Sequence, residues 1–490
     1  MANTFQDISL DRIKDKTIQT NKRIEFLNLE CAFDIETTST YTENKQKVGY
    51  MYAYTMGIGT NENEQTWMGR TWEDFISDCV SIQKHFGLSE DRRLICYVQN
   101  LEFEFQFIQR YFSWVDVFAT SERKVLRALT TLGIEFRDSY LLSGMSLENM
   151  ANGLDVDIPK MMGDLDYSLV RHHLTKLTEK EEQYCINDVR ILLYYVKREI
   201  EIYGDITRIP YTNTGRVRKF VRDNCFYTSK SHKKSSPAKY RKYREMMDSL
   251  KLDLPSYKML KQGFMGGFTH SNVRYNAVKL DNVVSYDFNS SYPAVMVSEK
   301  FPMSRPIKVE ITSKEEFEDC IKNFAYIFEV EFTGLESTSK YENYLSFSKC
   351  MDSLDVEENN GRIVKAEMVK MVITEVDFEI IQRNYTWREM KVGLGYKFYK
   401  RYLPKEIIKS IIELYKKKTE LKGVEGMEVE YNLNKGMLNS VYGMAVMDVI
   451  RSSSLWKDGW ESEIPDEEKQ IADYNASHSR FLYYPWGIWI

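Results

Sequence analysis

Acidic residues in apolar settings are where this sequence could first do chemistry. In "LECAFDIETTST" Asp34 and Glu36 stand two apart in a strand-like run and so point to one face. Two carboxylates on one strand face repel each other and call for a cation between them; solvent-facing strand carboxylates are the plainer alternative. In "ICYVQNLEFEFQFI" a strand runs into Asn100, followed by Glu102 and Glu104 among Phe103, Phe105 and Phe107, a run that also reads as the start of a charged amphipathic helix. In "EEQYCINDVRILLYYVKREIEIY" the residues Cys185, Val189, Leu192, Leu193 and Val196 recur at helical period. Tyr184 and Asp188, four apart, share a face beside that stripe, either as a working pair or as surface polar residues.

The second half carries a different set. "NVVSYDFNSSYPAVM" reads as a hydrophobic strand (Val283, Val284, Tyr286) that delivers Asp287 into a turn of small residues closed by Tyr292 and Pro293. An aspartate there can hold a metal or cap a helix. Upstream, Gly263, Gly266 and Gly267 make a hairpin turn or let the backbone approach a phosphate chain closely. In "NLNKGMLNSVYGMAV" a helix places Lys435, Asn439 and Tyr442 at i, i+4 and i+7, so one face presents a cation, an amide and an aromatic ring. That face suits a triphosphate and a base, or is a surface helix face.

The elements that must position these residues are those of a multidomain globular chain. At 490 residues, 43% hydrophobic and 28% charged, roughly two to four domains are expected. The seven cysteines form no CxxC pair, which points to buried thiols in a reducing compartment rather than zinc. The charged N-terminus excludes a signal peptide, and no apolar run reaches transmembrane length, so the expected location is cytoplasmic with no membrane partner. The net charge of -5 hides local asymmetry: from Arg216 to Arg244 eleven Lys or Arg face the single acid Asp223, interleaved with Phe and Tyr. That density fits a nucleic-acid backbone track, with a solvated face as the alternative, and a domain boundary near residue 205 precedes it.

Taken in order, the first three stretches resemble the DEDDy class of 3′–5′ exonucleases, whose motifs are DxE, NxxxD and YxxxD. They stand here as D-I-E (Asp34, Glu36), N-L-E-F-E (Asn100, Glu104) and Y-C-I-N-D (Tyr184, Asp188), with Glu104 in place of the aspartate. The later motifs extend the resemblance to the family B DNA polymerases of the protein-primed phage and plasmid group. DxxSLYP reads D-F-N-S-S-Y-P from Asp287 to Pro293, and KxxxNSxYG reads K-G-M-L-N-S-V-Y-G from Lys435 to Gly443. YxGG reads Phe264 to Gly267, its tyrosine replaced by phenylalanine.

The resemblance implies a mixed α/β and α+β fold: a ribonuclease H-like exonuclease domain (1–205), followed by a basic linker and the first part of a palm (206–297). An insertion that touches a terminal protein (298–372), palm (373–404), fingers (405–442), and a second insertion with a truncated palm (443–490) follow. It implies two Mg2+ or Mn2+ ions per active site, held by Asp34, Glu36 and Asp188 in the exonuclease and by Asp287 in the polymerase. Tyr184 orients the attacking water, with Glu104 completing the acidic set. Thr37, Asn100, Phe103 and Ser139, with Tyr97, Asp138 and Tyr140 nearby, meet a DNA strand, as do Gly266, Gly267 and Ser290. Tyr292, Lys418, Lys435, Asn439 and Tyr442 bind the deoxynucleoside triphosphate. Its partners are then primer-template and single-stranded DNA and a terminal protein.

The segment 298–372 itself reads as short strands, "YIFEVEFTG" and "AEMVKMVIT", around a turn at "ENNGRIV". The final stretch, Phe481 to Ile490, reads as a strand, and no YxDTDS motif occurs in the sequence. The expectation is therefore a palm that stops short of its second catalytic aspartate, with a hydrophobic strand edge exposed and a second polypeptide supplying the remainder.

Overall fold

A computed structural model describes the chain apart from residues 1, 15, 21–22, 155–157, 159–168, 228–235, 340–341 and 458. It divides into two compact units, the first formed by Met1–Arg216, Tyr415–Met437 and Ser452–Pro465 and the second by Val217–Leu414, Leu438–Arg451 and Asp466–Ile490.

The first unit is built on an eleven-stranded sheet. At its centre Cys31–Tyr41 pairs antiparallel with Lys47–Ile58 and parallel with Arg92–Val98. Strand alternation sorts the central residues between two cores. Cys31, Phe33 and Ile35 enter the cluster shared with Phe75, Cys79 and Ile82 of the helix Trp72–Phe86. Ala32 enters the opposite cluster, with Val189, Leu192 and Leu193 of the helix Glu179–Tyr203. Asp34 and Glu36 have the parity of Ala32, so they belong to the face that the long helix covers. That helix is started by a capping box in which Thr178 and Glu181 satisfy each other's backbone N–H. It closes tightly over the sheet at Gly57, where a Cβ would come within 2.8 Å of Leu193 and 2.9 Å of Val189.

The second unit carries a seven-stranded sheet. Phe324–Ser337 lies between Arg362–Thr374 and Glu389–Tyr402, both antiparallel, and Asp352–Asn359 forms a hairpin with Arg362–Thr374. The hairpin turns at Asn360 and Gly361, both with positive φ, the chemistry an Asn-Gly turn supplies. The strands read in "YIFEVEFTG" and "AEMVKMVIT", and the turn between them, thus occur as expected. Among the described residues no helix is long and apolar enough to cross a membrane.

Two expected strands are absent. Residues 283–287 form no strand, and Val283, Val284, Tyr286 and Phe288 are exposed, Tyr286 at 91%. Apolar alternation favours a strand only where a neighbour accepts its ladder bonds and covers its side chains, and no described strand does so here. The end of the chain is likewise no exposed strand: Trp486–Trp489 is a 3-10 turn with Trp486 and Trp489 buried. Three residues per turn puts both indoles on one side, whereas a strand would send them to opposite faces. Trp486 donates to Pro302 O at 2.9 Å and Trp489 to Glu375 Oε2 at 2.9 Å. The hydrophobic edge expected at Phe481–Ile490 is therefore replaced by a buried aromatic anchor.

Candidate functional site

Strand Cys31–Tyr41 and helix Glu179–Tyr203 bring Asp34, Glu36 and Asp188 together: a carboxylate oxygen from each lies within 4.8 Å of the other two. Asp188 is buried beside Cys185, one turn away on the same helix stripe, and the Cys185 thiol donates to Glu36 Oε1 at 3.8 Å. Burial, then Glu36, Asp34 and Asp188 in turn, push that thiol well above its ordinary range. The strand register shifts between Glu36 and Thr37, a bulge after which the pairing resumes one residue out of step, with Thr37 half-buried.

Glu104 sits on the short helix Leu101–Ile108 and is buried, with Oε2 lacking any hydrogen-bond partner. Burial first, and then the charge of Asp34, hold its carboxyl well above the usual carboxylate range. Asn100 enters this helix in the left-handed conformation (φ 69°) that asparagine tolerates, and is exposed. Phe103 is 42% exposed and packs on Phe107. Tyr184 is half-buried beside the cluster of Tyr52, Ala53, Met68 and Cys185.

Several residues expected to meet a DNA strand are buried or internally bonded in this structure. Ser139 is fully buried, its hydroxyl engaged with Val98 O at 3.0 Å and Gln99 Oε1 at 2.6 Å. Tyr97 is buried as well, with Arg137 at hand to lower a hydroxyl pKa that burial raises to about 12. Asp138 accepts from Leu101 N at 2.7 Å and Leu141 N at 2.5 Å, and burial lifts its pKa to about 6. It fastens the start of the Glu104 helix. Tyr140, two residues on, is 47% exposed.

In the second unit Asp287 is exposed, and among the described residues it joins no acidic cluster. Ser290 takes a left-handed conformation (φ 54°) and starts the helix Ser291–Ser298. Tyr292 on that helix stacks on Tyr442, with centroids 4.6 Å apart and planes 27° from parallel. Gly267 lies where a Cβ would reach within 2.3 Å of the Tyr292 hydroxyl, so glycine is required at that approach, while nothing lies near Gly266. Asn439 and Tyr442 stand on the helix Glu428–Met444, Asn439 exposed. Lys435 of the same helix lies over the Tyr431 ring, and Lys418 is on Lys405–Leu421.

The basic run separates into cations with internal partners and a remainder. Arg216 is buried against Glu199 at 2.9 Å and receives no solvent, which removes it from any surface track. Lys239 donates to Tyr227 O at 3.1 Å, and Lys242 pairs with Glu406 at 3.4 Å. Lys230, Lys233 and Lys234 lie outside the described residues. Sequence reading missed the hairpin Ser453–Trp456 and Trp460–Glu463, which joins the edge of the first unit's sheet against Trp114–Ala119. Its signal was the pair of tryptophans, Trp456 and Trp460, flanking a glycine.

Against known families, residues 171–481 match the model of DNA polymerase type B, organellar and viral. The DNA polymerase of Bacillus phage Nf is 25% identical over 435 residues, 84% of this chain and 66% of the relative. That of Bacillus phage M2 is 27% identical over 293 residues, 59% of this chain and 45% of the relative. This chain therefore spans less than two thirds of the length of either. Among solved structures, phi29 DNA polymerase complexed with primer-template DNA superposes with a TM-score of 0.64 over 92% of this chain and 75% of that one, at 17% identity. The likeness shows a shared fold over nearly all of these residues.

Proposed function

Because this chain belongs to the organellar and viral type B DNA polymerases, we propose that it carries nucleotide-binding elements of a DNA-directed DNA polymerase and trims a DNA 3′ end in a separate 3′–5′ exonuclease site. The observation that carries the second half is the meeting of Asp34, Glu36 and Asp188 within 4.8 Å. Three such oxygens repel one another, and the buried Glu104, whose Oε2 has no hydrogen-bond partner, adds a further carboxyl near them. Hard oxygen donors of this kind fit Mg2+ or Mn2+. When bound, a pair of such ions activates water and stabilises the leaving oxygen of a phosphodiester.

The chain's own residues do the rest. Tyr184 orients the attacking water beside Asp188, while Thr37, Asn100 and Phe103 receive the 3′ end, Phe103 offering an exposed ring to an unpaired base. In the polymerase half, Tyr292, held by its stack on Tyr442, forms the wall under the incoming sugar and excludes a 2′-hydroxyl. Lys418 and Lys435 take the phosphates, Asn439 and Tyr442 line the base pocket, and Gly266, Gly267 and Ser290 lie along the DNA. Asp287 supplies a carboxylate for the metals of this second site.

The partners under this reading are single-stranded DNA, primer-template and a terminal priming protein, in the cytoplasm of an infected or plasmid-bearing host. The exposure of Asp287 favours a second reading, an exonuclease whose polymerase half only grips DNA.

The test is degradation of a 5′-labelled single-stranded oligonucleotide in Mg2+ or Mn2+. The protein is expected to shorten it from the 3′ end, and Asp34→Ala with Asp188→Ala to abolish this while retaining DNA binding. Undiminished degradation by the double variant overturns the assignment.

A further inference from the structure

The hairpin Ser453–Trp456 and Trp460–Glu463 has no part in either site as described above. We propose that it is a strut for the helix Leu101–Ile108, and that Trp456 and Trp460 are positioning residues acting through that helix on Glu104. The proposal rests on the exonuclease reading for its kinetic consequence and on packing alone for the rest.

Three features carry it. First, the helix is only eight residues long, too short to hold its shape or place unaided, so its position is set by its packing. Asp138 ties its first N–H, and Leu101 and Ile108 enter the core. A further anchor, beside the half-buried Phe107, is Phe105, next to Glu104 in the chain and fully buried. The Phe105 ring lies 5.0 Å from Trp114, 5.7 Å from Trp456 and 6.0 Å from Trp460, and the two hairpin indoles meet edge to face at 5.4 Å.

Second, the backbone attachment of the hairpin is thin. Its strand Ser453–Trp456 meets Trp114–Ala119 at the single pair Ser454 and Ala119, supplemented by the Ser462 hydroxyl on Glu122 at 3.3 Å. The aromatic contact is therefore its principal hold on the unit. Trp460 Nε1 is buried without a hydrogen-bond partner, so the seat uses the ring surface and not the N–H. Third, Glu104 Oε2 has no partner that would fix it independently. Where that carboxyl stands follows from where the helix backbone stands.

The experiment compares the full chain with Trp456→Ala/Trp460→Ala and Trp456→Phe/Trp460→Phe, each with Glu104 intact and as Glu104→Gln. On a single-stranded oligonucleotide with Mn2+, the alanine pair is expected to lower kcat roughly ten- to a hundredfold with KM within about twofold, the scale of a misplaced catalytic group. The phenylalanine pair restores most of the rate. In the Glu104→Gln background the alanine pair adds less than about a twofold loss, because the group it positions is already gone. A rise in KM at constant kcat would make the hairpin a DNA-gripping surface, and an equal loss in both backgrounds would make it a general stabiliser; either overturns the proposal. Hydrogen exchange gives a readout apart from activity. Amides 101–108 should exchange faster in the alanine pair while those of the helix Trp72–Phe86 do not, and unchanged protection at 101–108 refutes the strut. A protein without any degradation would sink the exonuclease reading and leave exchange to decide the strut.

Discussion

Asp34 and Asp287 both end short apolar runs, yet the two are built in opposite ways. Asp34 lies in a strand paired on both sides, with a 25-residue helix closed over it that brings Asp188 to the same place. Asp287 lies in a segment with no strand partner, flanked by Tyr286 at 91% and Phe288 at 86% exposure. The difference teaches that gathering carboxylates against their mutual repulsion takes a scaffold fixed from several sides. The first unit supplies all of it from described residues, while residues 283–288 still present bare backbone to any strand that fits.

Breaking the better-built side should have the largest effect. Asp34→Ala or Asp188→Ala is expected to lower 3′–5′ degradation on the order of a thousandfold, comparable to removing a principal electrostatic group, whereas Asp287→Ala should leave it within about twofold. Labelled-oligonucleotide decay rates for the three variants check this, and equal losses would erase the distinction between the two regions.

Glu375 sharpens the comparison by showing a buried carboxyl met by N–H donors and, at 4.0 Å, by the Lys400 ammonium rather than by other carboxylates. Tyr326 N donates to it at 2.8 Å and Trp489 Nε1 at 2.9 Å, yet burial raises its pKa from 4.5 to about 7. A carboxyl with a raised folded pKa favours folding most when protonated. Its contribution is complete below about pH 4.5 and is lost as pH rises through about 7. Denaturant midpoints across that window should fall by the equivalent of a few kcal/mol, on the scale of about 1.4 kcal/mol per pKa unit, and Glu375→Gln should flatten the decline.

Smaller effects follow in the polymerase half and in the core. With Tyr292→Val, loss of the stacked wall should relax discrimination against ribonucleotides by roughly ten- to a hundredfold, read from competition between the two sugars during primer extension by a completed enzyme. Unchanged discrimination would reduce Tyr292 to a packing partner of Tyr442. Gly57→Ala places a methyl within 3 Å of Leu193 and Val189 and should cost about 1–3 kcal/mol. Because the displaced helix carries Asp188, degradation should fall with the midpoint, and a drop in stability alone would show that the acidic cluster tolerates the shift.

What the sequence made legible was local. Alternation placed Asp34 and Glu36 on one face, the 3.6-residue period found the helix Glu179–Tyr203, and the Asn-Gly pair marked the hairpin at 360–361, because each depends on neighbours in the chain. Remote pairing was not legible. Apolar alternation at 283–286 could not say whether a partner strand exists, and "YPWGIWI" could not disclose that Pro302, Ala445 and Glu375 wait to receive it in another geometry. Ser139 looked available for a DNA strand until its hydroxyl was found turned onto Val98 and Gln99.

The hairpin at 453–463 also has a meaning in time. Ribosomes add roughly 5–20 residues per second, and domains generally fold as they emerge, so Trp114–Ala119 stands as the open border of its sheet for some tens of seconds before Ser454 is made. During that interval nothing built in cis can shield it. The strand carries its own safeguards: two register irregularities, between Trp114 and Asp116 and between Phe118 and Ala119, and the charged Asp116 engaged with Arg127. Kinked, charged borders pair poorly with stray strands. They let a nascent chain remain solitary until its own late segment arrives.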